Sequence, residues 1–170
     1  KDKGMYDAIN RGIAKANGDI YAWINGDDSY ISNAFQKIAD TFTVFPEIKW
    51  LKGTTSNIEA DGTLIRKGGI LIYEQSLLAH GVYGRQAYFV EQDSVFWRAD
   101  LWKKVGGIPT EYRLAGDYFL WIQFARHTPL WSINVPISRF RKSAGQLSQQ
   151  VAVYKKEQQS IMSRTGNEFS

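Results

Sequence analysis

The sequence predicts a layered α/β domain, and three observations lead to that fold class. Segments with helical spacing of apolar residues alternate along the chain with short runs rich in β-branched and aromatic residues. The composition, with 44% apolar and 22% charged residues, is that of a globular protein. The length of 170 residues suits one domain, and no linker or repeat divides it. Disordered, collagen-like and coiled-coil chains are therefore excluded.

The first two elements are a helix and a buried strand. Apolar residues recur at helical spacing over residues 5–16, which predicts a helix that ends at Asn17-Gly18. The run DIYAWI over 19–24 contains β-formers and is followed by the polar segment NGDD. We therefore expect a buried strand there that ends at Asn25.

The remaining elements follow from the same two signals, which are apolar periodicity and a residue suited to begin or end the element. In order along the chain, we expect a helix over 33–45 capped by Ser32 and ended by Pro46, a strand over 48–53, a hairpin over 54–66 with Asp61-Gly62 in its turn, a helix over 101–105 capped by Asp100 and closed by Gly106-Gly107, a helix over 115–127, a strand over 129–140 and a polar helix over 147–164.

Composition also excludes several kinds of site. Because there is no cysteine, a disulfide, a thiolate metal site and a cysteine nucleophile are all ruled out. No apolar run reaches the length of a membrane span, and no signal peptide opens the chain. The first residue is Lys rather than Met, so we expect a fragment or a processed chain. The net charge of +4 is compatible with an anionic substrate, although ordinary surface charge explains it more simply.

The segment NGDD places two adjacent carboxylates, Asp27 and Asp28, directly after the predicted buried strand. Ligands of open α/β sheets bind beyond the carboxyl ends of strands. Adjacent carboxylates repel each other unless a cation compensates them, and Mg²⁺ typically uses one or two carboxylates together with substrate phosphates. The segment therefore suits a site for a metal and a diphosphate. The simpler alternative is a polar turn, because Asn, Gly and Asp dominate turns.

Asp117 lies at the start of the predicted helix 115–127 and is followed by aromatic residues. A partly desolvated carboxyl has a raised pKa, which would suit a general base. The alternative is structural, since a carboxylate in the first turn of a helix interacts favourably with the helix dipole.

The opening segment DKGMYDAINRG carries a cluster of polar side chains. Asn10 or Arg11 could face a nucleotide or its phosphates. Asp7 and Arg11 are four residues apart on one helix, however, so they could simply pair with each other.

Two later segments combine polar residues with aromatic or basic ones. In EQDSVFWR, Gln92 and Asp93 precede Trp97, a combination that suits sugar hydroxyl groups and equally suits the polar end of a strand. In RFRKSAGQLSQQ, Arg141 and Lys142 precede a loop and then a helix, where an anion could bind. Solvated surface charge is the alternative for the second segment.

Two segments, in this order, resemble motifs of family 2 glycosyltransferases, which have the GT-A fold. DKGMYDAINRGIAKANGDIYAWINGDD resembles that family's D-x-G-x-Y-D-A-x-N-x-G-I segment, followed by an apolar strand and an N-x-D-D motif. SVFWRADLWKKVGGIPTEYRLAGDYFLWIQFAR resembles its F-x-R segment with the later G-G and A-x-D-Y-D-L-W motifs. The resemblance spans roughly residues 1–150.

The resemblance implies a GT-A-type mixed sheet flanked by helices, lacking its first βα units. It implies an inverting transferase that moves a sugar from a UDP- or dTDP-sugar donor to a glycan or lipid-linked saccharide. By the same resemblance, Asp27 and Asp28 would hold Mg²⁺ or Mn²⁺ against the donor diphosphate, Asn25 would lie near the ribose or the metal, Asp117 would be the catalytic base, Asp2, Asn10 and Arg11 would approach the nucleotide, and Gln92, Trp97 and Trp121 would be acceptor-side residues.

The sequence departs from the family's motifs at several positions. Phe119 stands where the family has the second Asp of D-Y-D, and Gly116 precedes Asp117 where some members have Glu. Pro109-Thr110 replaces the common Phe-Asp. The final F-R-x-H pattern loses its His here, so the role of that residue is lost or passes to Lys142.

We therefore expect one glycosyltransferase domain over residues 1–170, incomplete at its N-terminus, cytoplasmic and in contact with the inner face of a membrane. Two alternatives stay open. A non-catalytic sugar- or nucleotide-binding module would be favoured if Asp117 were paired with Arg113 or Arg126 away from any cleft. A nucleic-acid-binding domain would suit the pI of about 9.2 and the many aromatic residues, but the adjacent carboxylates would repel phosphates.

Overall fold

The computed structural model describes residues 2–143, 146 and 150–166. Its helices and strands alternate as the α/β prediction requires. In chain order the elements are α1 Met5–Lys15, β1 Ile20–Tyr21, β2 Ser29–Tyr30, α2 Ala34–Val44, β3 Trp50–Ile58, β4 Leu64–Arg66, α3 Gln75–Ala79, β5 Val95–Arg98, α4 Ala99–Val105, α5 Gly116–Ala125, β6 Trp131–Arg141 and α6 Val151–Gly166.

The described strands form one mixed sheet in the order β1-β5-β3-β6-β2, with β4 pairing on β3. The central pair β3–β6 is parallel, whereas the other neighbours are antiparallel. Gly53 permits the close approach of this central pair, because a Cβ there would stand 2.2 Å from Ile137 Cγ1 and 2.7 Å from the Val135 carbonyl oxygen. β1 and β2 are at opposite ends of this strand order, so the segment between them leads from one side of the sheet to the other.

Helices cover both faces of the sheet. Neighbouring residues of the central strand β3 pack into two different core clusters. Trp50 of β3 belongs to a large core cluster that includes residues of α1, α4, α5 and α6. Its neighbour Leu51 belongs to a second, smaller cluster with residues of α2. Because successive side chains of a strand point to opposite faces, the two clusters lie on opposite sides of the sheet.

Several predicted elements are confirmed. The helix expected over 5–16 is α1, the helix expected over 115–127 contains α5, and the hairpin joins β3 to β4. In its turn the Glu59 amide donates to the Thr63 carbonyl oxygen at 2.8 Å, and Gly62 has a φ of 92°. That left-handed backbone is the reason a glycine is favoured there. Residues 147–149 of the predicted last helix lie outside the described residues.

The strand predicted over 19–24 is much shorter than expected. Only Ile20–Tyr21 pairs with a neighbouring strand. The Trp23 carbonyl oxygen instead accepts from Gln92 Nε2 at 2.6 Å and from the Tyr30 hydroxyl at 3.4 Å. Side chains take the bonds that a neighbouring strand would otherwise make, so the chain leaves the sheet before NGDD.

Two predicted helix caps are wrong. Asn33, not Ser32, precedes α2, with a φ of 63°, a left-handed conformation that Asn tolerates better than most residues. Asp100 lies inside the first turn of α4 rather than before it, and its carboxylate pairs with Lys49 at 2.7 Å. The predicted end of that helix is confirmed, because Gly106 closes it with a φ of 78°.

Candidate active site

The acidic turn, residues 25–28, follows β1. It is held by hydrogen bonds within the turn and by one bond to β6. The Asp28 amide donates to the Asn25 carbonyl oxygen at 3.2 Å, and Asn25 Nδ2 donates to Asp28 Oδ2 at 3.4 Å. Asp28 Oδ1 accepts from the Arg141 amide at 2.9 Å. Asp27 is exposed, and its Oδ2 accepts from Gln146 Nε2 at 2.7 Å. The turn predicted to hold a metal therefore presents one exposed and one half-buried carboxylate side by side.

The guanidinium of Arg141 fastens this turn to the β3–β4 hairpin. Its Nε donates to the Asp27 carbonyl oxygen at 3.0 Å, and its Nη1 donates to the carbonyl oxygens of Ala60 at 2.6 Å and Glu59 at 3.2 Å. These contacts are with backbone oxygens, so Arg141 positions the acidic turn. The other cation considered for a diphosphate, Lys142, donates its amide to the Ile58 carbonyl oxygen at 2.9 Å, which extends the pairing with β3.

A third carboxylate, Asp93, lies behind the acidic turn. It is 4% exposed and accepts from Ser138 Oγ at 2.7 Å. Burial raises the pKa of Asp93. Burial, together with the negative charges of Asp93 and Asp27, raises the pKa of Asp28 to about 6, although the hydrogen bonds from the Arg141 amide and from Asn25 oppose the shift. Negative charge is therefore concentrated where the chain enters β2 and β5.

The donor set of this turn fits a hard divalent cation that is completed by a ligand. Asp27 and Asp28 supply two carboxylates, which is the number that Mg²⁺ commonly takes from a protein when substrate phosphates supply further ligands. A cation would also relieve the repulsion that raises the pKa of Asp28. Within the part of the chain that the structure describes, no three His, Cys, Asp or Glu side chains are grouped as a metal cluster. The residues thus suit a shared metal better than an all-protein cage.

Asp117 lies in the first turn of α5 and is held through one of its oxygens. Its Oδ1 accepts from the Tyr118 amide at 2.7 Å and from the Tyr154 hydroxyl at 3.2 Å. The Asp117 amide donates to the Tyr6 hydroxyl at 3.3 Å, and that hydroxyl donates to the Leu114 carbonyl oxygen at 2.7 Å. Tyr118 of α5 and Tyr154 of α6 therefore bond to the carboxylate of Asp117, and Tyr6 of α1 bonds to its backbone amide.

The surroundings of Asp117 make its carboxyl more basic than usual. Burial raises the pKa of Asp117 to about 6, although the hydrogen bonds from Tyr118 and Tyr154 oppose the shift. The side chain lines a narrow cleft with Tyr83, Phe89 and Trp121, with room for about one water molecule. Among the described residues, neither Arg113 nor Arg126 donates to this carboxylate. The condition that would favour a purely binding role is therefore not met.

The predicted nucleotide-side residues have local partners instead. Asn10 Nδ2 donates to the Ile108 carbonyl oxygen at 2.7 Å, and Asn10 Oδ1 accepts from the Ile108 amide at 3.1 Å. Both polar side-chain atoms of Asn10 thus fasten α1 to the turn after α4, and its approach to a nucleotide stays a prediction. Arg11 pairs with Asp7 at 2.9 Å, as the alternative interpretation of their spacing expected. Asp2 is exposed and accepts from the Gly4 amide at 3.3 Å.

The predicted acceptor-side residues divide between core and cleft. Trp97 is fully buried and stacks on Trp102, with 5.8 Å between ring centroids. A ring with no exposed surface cannot contact an acceptor, so we correct its role to core packing. Gln92 donates to the Trp23 carbonyl oxygen and supports the chain before the acidic turn. Trp121 is also largely buried, but it lines the cleft beside Asp117, and its indole nitrogen has no hydrogen-bond partner among the described residues.

Sequence reasoning missed three residues of the Asp117 site: Tyr6, Tyr154 and Glu157. Tyr6 belongs to the first resembling segment, but no role was given to it. Tyr154 and Glu157 lie on α6, which looked only polar. The one available signal was the spacing of Tyr154, Gln158 and Ile161 on a single helix face, which α6 turns toward α5.

Similar folds occur among solved structures of S. aureus TarS, a glycosyltransferase. The structure of TarS 1–349 in complex with UDP-GlcNAc aligns with a TM-score of 0.65 and 12% identity, over 86% of this chain and 41% of that one. TarS 1–349 alone aligns with a TM-score of 0.62 and 10% identity, over 98% and 52%. The complex with UDP gives a TM-score of 0.62 and 11% identity, over 97% and 51%.

These alignments confirm the expected GT-A-type fold, in which helices flank a mixed sheet. At 10–12% identity, the likeness concerns the fold alone. The chain spans only 41–52% of the length of these TarS 1–349 structures. No protein-family model matches the chain, and no curated protein sequence matches it. None of its described helices is both long and apolar enough to cross a membrane.

Proposed function

We propose that residues 1–170 form one domain of an inverting family 2 glycosyltransferase that transfers a sugar from a nucleotide-sugar donor. The observation that carries the proposal is the state of Asp117. It is a carboxylate with a pKa raised to about 6, bonded through Oδ1 and facing an aromatic cleft. A base of this pKa is mostly ionised at neutral pH and still accepts a proton readily.

In the proposed reaction, Asp117 removes the proton from an acceptor hydroxyl. The acceptor oxygen then forms a bond to the anomeric carbon while the bond from that carbon to the nucleoside diphosphate breaks, which inverts the configuration. The proton ends on Asp117, and the electron pair of the broken bond leaves with the diphosphate. Mg²⁺ or Mn²⁺ held by Asp27 and Asp28 would supply positive charge to the leaving diphosphate. Asn25 lies in the same turn, beside Asp28, where it can contact the ribose or the metal.

The donor class rests on two supports. TarS was solved with UDP-GlcNAc and with UDP, which favours a UDP-sugar for a chain of the same fold. The acidic turn also fits a metal that is shared with a diphosphate. A dTDP-sugar remains the alternative donor.

A lipid-linked acceptor at a cytoplasmic membrane face is supported by the apolar rim of the cleft. Phe89 lines the cleft and is 54% exposed, and its neighbour Tyr88 is 69% exposed. Ile72 is 82% exposed, and the hydroxyl of its chain neighbour Tyr73 donates to the Phe89 carbonyl oxygen at 2.6 Å. We propose that these side chains contact the acyl region of a membrane. Loss of vesicle binding in Phe89→Ser and Ile72→Ser, with Phe35→Ser as the control, would support this contact.

The test of the function combines binding with turnover in the intact protein. Calorimetry with UDP, dTDP and UDP-GlcNAc, with and without Mn²⁺, should give metal-dependent binding that Asp28→Asn abolishes. Asp117→Asn should keep that binding and lower donor hydrolysis by about 100-fold or more. Nuclear magnetic resonance of the released sugar should show inversion at the anomeric carbon.

Three outcomes would count against the proposal. Metal-dependent binding without any turnover in the wild type favours the binding module. Turnover that survives Asp117→Asn removes Asp117 as the base. Binding that Asp28→Asn leaves unchanged removes the acidic turn as the metal site.

A further inference from the structure

Helix α6 is fastened to the beginning of α5 by one side chain. The two carboxylate oxygens of Glu157 accept from three consecutive amides, those of Arg113 at 2.8 Å, Leu114 at 2.9 Å and Ala115 at 2.7 Å. The amides just before a helix lack partners within the helix, so a carboxylate there binds them strongly. The position of α6 relative to the first turn of α5 is thereby fixed.

This arrangement brings Tyr154 onto Asp117. Residues three apart on a helix share one face, and Tyr154 lies one turn before Glu157. Its hydroxyl donates to Asp117 Oδ1 at 3.2 Å, and its ring packs edge-on against Phe89 at 5.8 Å between centroids. The side chain therefore touches both the carboxylate and the aromatic wall of the cleft.

The two oxygens of Asp117 are used differently. Oδ1 accepts from the Tyr118 amide and the Tyr154 hydroxyl, whereas Oδ2 accepts no hydrogen bond from the residues that the structure describes. Two donors that approach one oxygen from different elements restrict rotation of the carboxyl group. The remaining oxygen is then the more basic one and keeps a fixed direction.

We propose that Tyr154 is a positioning residue, which holds Oδ1 of Asp117 so that Oδ2 is presented to the acceptor hydroxyl. This inference rests on the proposed function, because it assumes that Asp117 acts as the base. Productive proton transfer needs the two heavy atoms within hydrogen-bond reach and correctly aligned. A carboxyl held by Tyr118 alone would keep more freedom to rotate away.

The hydrogen bond also has an electrostatic consequence. A donor to the ionised carboxyl stabilises the charged form, and so the Tyr154 hydroxyl lowers the pKa of Asp117 against the effect of burial. Removal of that hydroxyl should therefore raise the pKa and loosen the carboxyl at the same time. A side chain that only filled space would do neither.

The first experiment follows the titration of Asp117 in the intact protein by ¹³C resonance of its carboxyl carbon, which is identified by its loss in Asp117→Asn. Tyr154→Phe should move the midpoint up by about half to one pH unit. Tyr21→Phe is the matched control, because its hydroxyl donates to the Ala16 carbonyl oxygen at 3.1 Å, far from the carboxylate. An unchanged midpoint in Tyr154→Phe overturns the proposal.

The second experiment measures donor hydrolysis against pH in the same variants. Tyr154→Phe should lower kcat about tenfold with an unchanged KM for the donor, and the acid limb of the profile should move up with the titration. A shifted titration with unchanged kcat and acid limb also overturns the positioning role. A wild type that binds donor without turnover refutes the proposed function itself, and the titration still reports separately whether Tyr154 bonds to Asp117.

Discussion

The indole rings of Trp23 and Trp121 lie nearly parallel, with 5.9 Å between their centroids and 7° between their planes. Trp23 lies two residues before Asn25, where the acidic turn begins, and Trp121 follows Asp117 by one turn of α5. The stack therefore connects the two acidic parts of the candidate site through side chains of the core. Trp50 also stacks on Trp121, with 5.7 Å between the ring centroids.

Loss of the central ring should destabilise the whole domain. Trp121→Ala is expected to lower the free energy of unfolding by about 3–5 kcal/mol, because the ring is buried and stacks on two other indoles. Trp131→Ala is the matched control, since that ring is 46% exposed, and its cost should be about 1 kcal/mol or less. Chemical denaturation of both variants gives the comparison. Equal losses would show that the stack adds nothing beyond an ordinary surface tryptophan.

Asp117→Asn should make the protein more stable at neutral pH but not at low pH. The pKa of Asp117 in the folded chain, about 6, is above its ordinary value. Folding therefore favours the protonated form, and stability is lost as the pH rises through about 6. Asn keeps an oxygen for the Tyr118 and Tyr154 donors without the buried charge. We expect a gain of about 1–3 kcal/mol at pH 7.5 and no gain below pH 4, measured by urea unfolding at both pH values.

The negative charge of Asp93 should be measurable at Asp28. Asp93→Asn keeps an acceptor for Ser138 and removes the charge, so the pKa of Asp28 should fall from about 6 toward its ordinary range. Asp40→Asn is the control, because Asp40 is exposed on α2. The pKa of Asp28 is measured in both variants by following its carboxyl resonance against pH. If Asp93→Asn leaves the pKa of Asp28 in place, burial and the charge of Asp27 account for the shift without Asp93.

Two glycine substitutions should have opposite effects on stability. A Cβ at Gly116 would stand 2.6 Å from the Tyr6 ring and from Ile108 Cγ2, so Gly116→Ala should cost about 1–3 kcal/mol. Nothing lies within 4 Å of a Cβ at Gly12 in α1. Gly12→Ala should therefore stabilise the protein by about 0.5–1 kcal/mol through the helix propensity of Ala. Thermal unfolding of both variants provides the test, and a neutral Gly116→Ala would mean that Tyr6 moves aside freely.

Gly116 is also a position where the sequence differs from the motif that it resembles. The Tyr6 ring occupies the space that any side chain at this position would need. Glu157 of α6 binds the amides at the start of α5 from another direction. A carboxylate is thus present near this turn, although it comes from a different part of the chain.

Local patterns predicted those parts of the fold that local forces determine. Helices α1 and α5 follow from apolar spacing, and the hairpin at Gly62 follows from its turn residues. The two-residue strand β2 was missed because it has too few residues to show a pattern, and it exists only through pairing with β6. The strand predicted over 19–24 was too long. Sequence periodicity does not show that the side chain of Gln92, far along the chain, donates to the Trp23 carbonyl oxygen.

The site was predicted only as far as its residues lie in the resembling motifs. Asp27, Asp28 and Asp117 were singled out from motif spacing. In the structure Asp27 is exposed, Asp28 is half-buried and Asp117 lines the cleft, and the roles given to them stay predictions. The structural bonds of Asn10 were not predicted because their partner, Ile108, is 98 residues away. Tyr154 was missed for the same reason, since its contact with Asp117 exists only after α6 has packed.

The parallel pairing of β3 with β6 determines how this chain must fold. Each residue of β3 pairs with a residue about 80 positions later, so the centre of the sheet closes only after α3, β5, α4 and α5 have been made. Contacts between such distant residues slow folding, because the entropy of closing a long loop is lost before the stabilising hydrogen bonds form. During synthesis, β3 leaves the ribosome well before its central partner does, and the β4 hairpin pairs with only the last residues of β3 in the interval. We therefore expect a slow folding phase governed by the arrival of β6, and a sheet whose central amides exchange with solvent last of all.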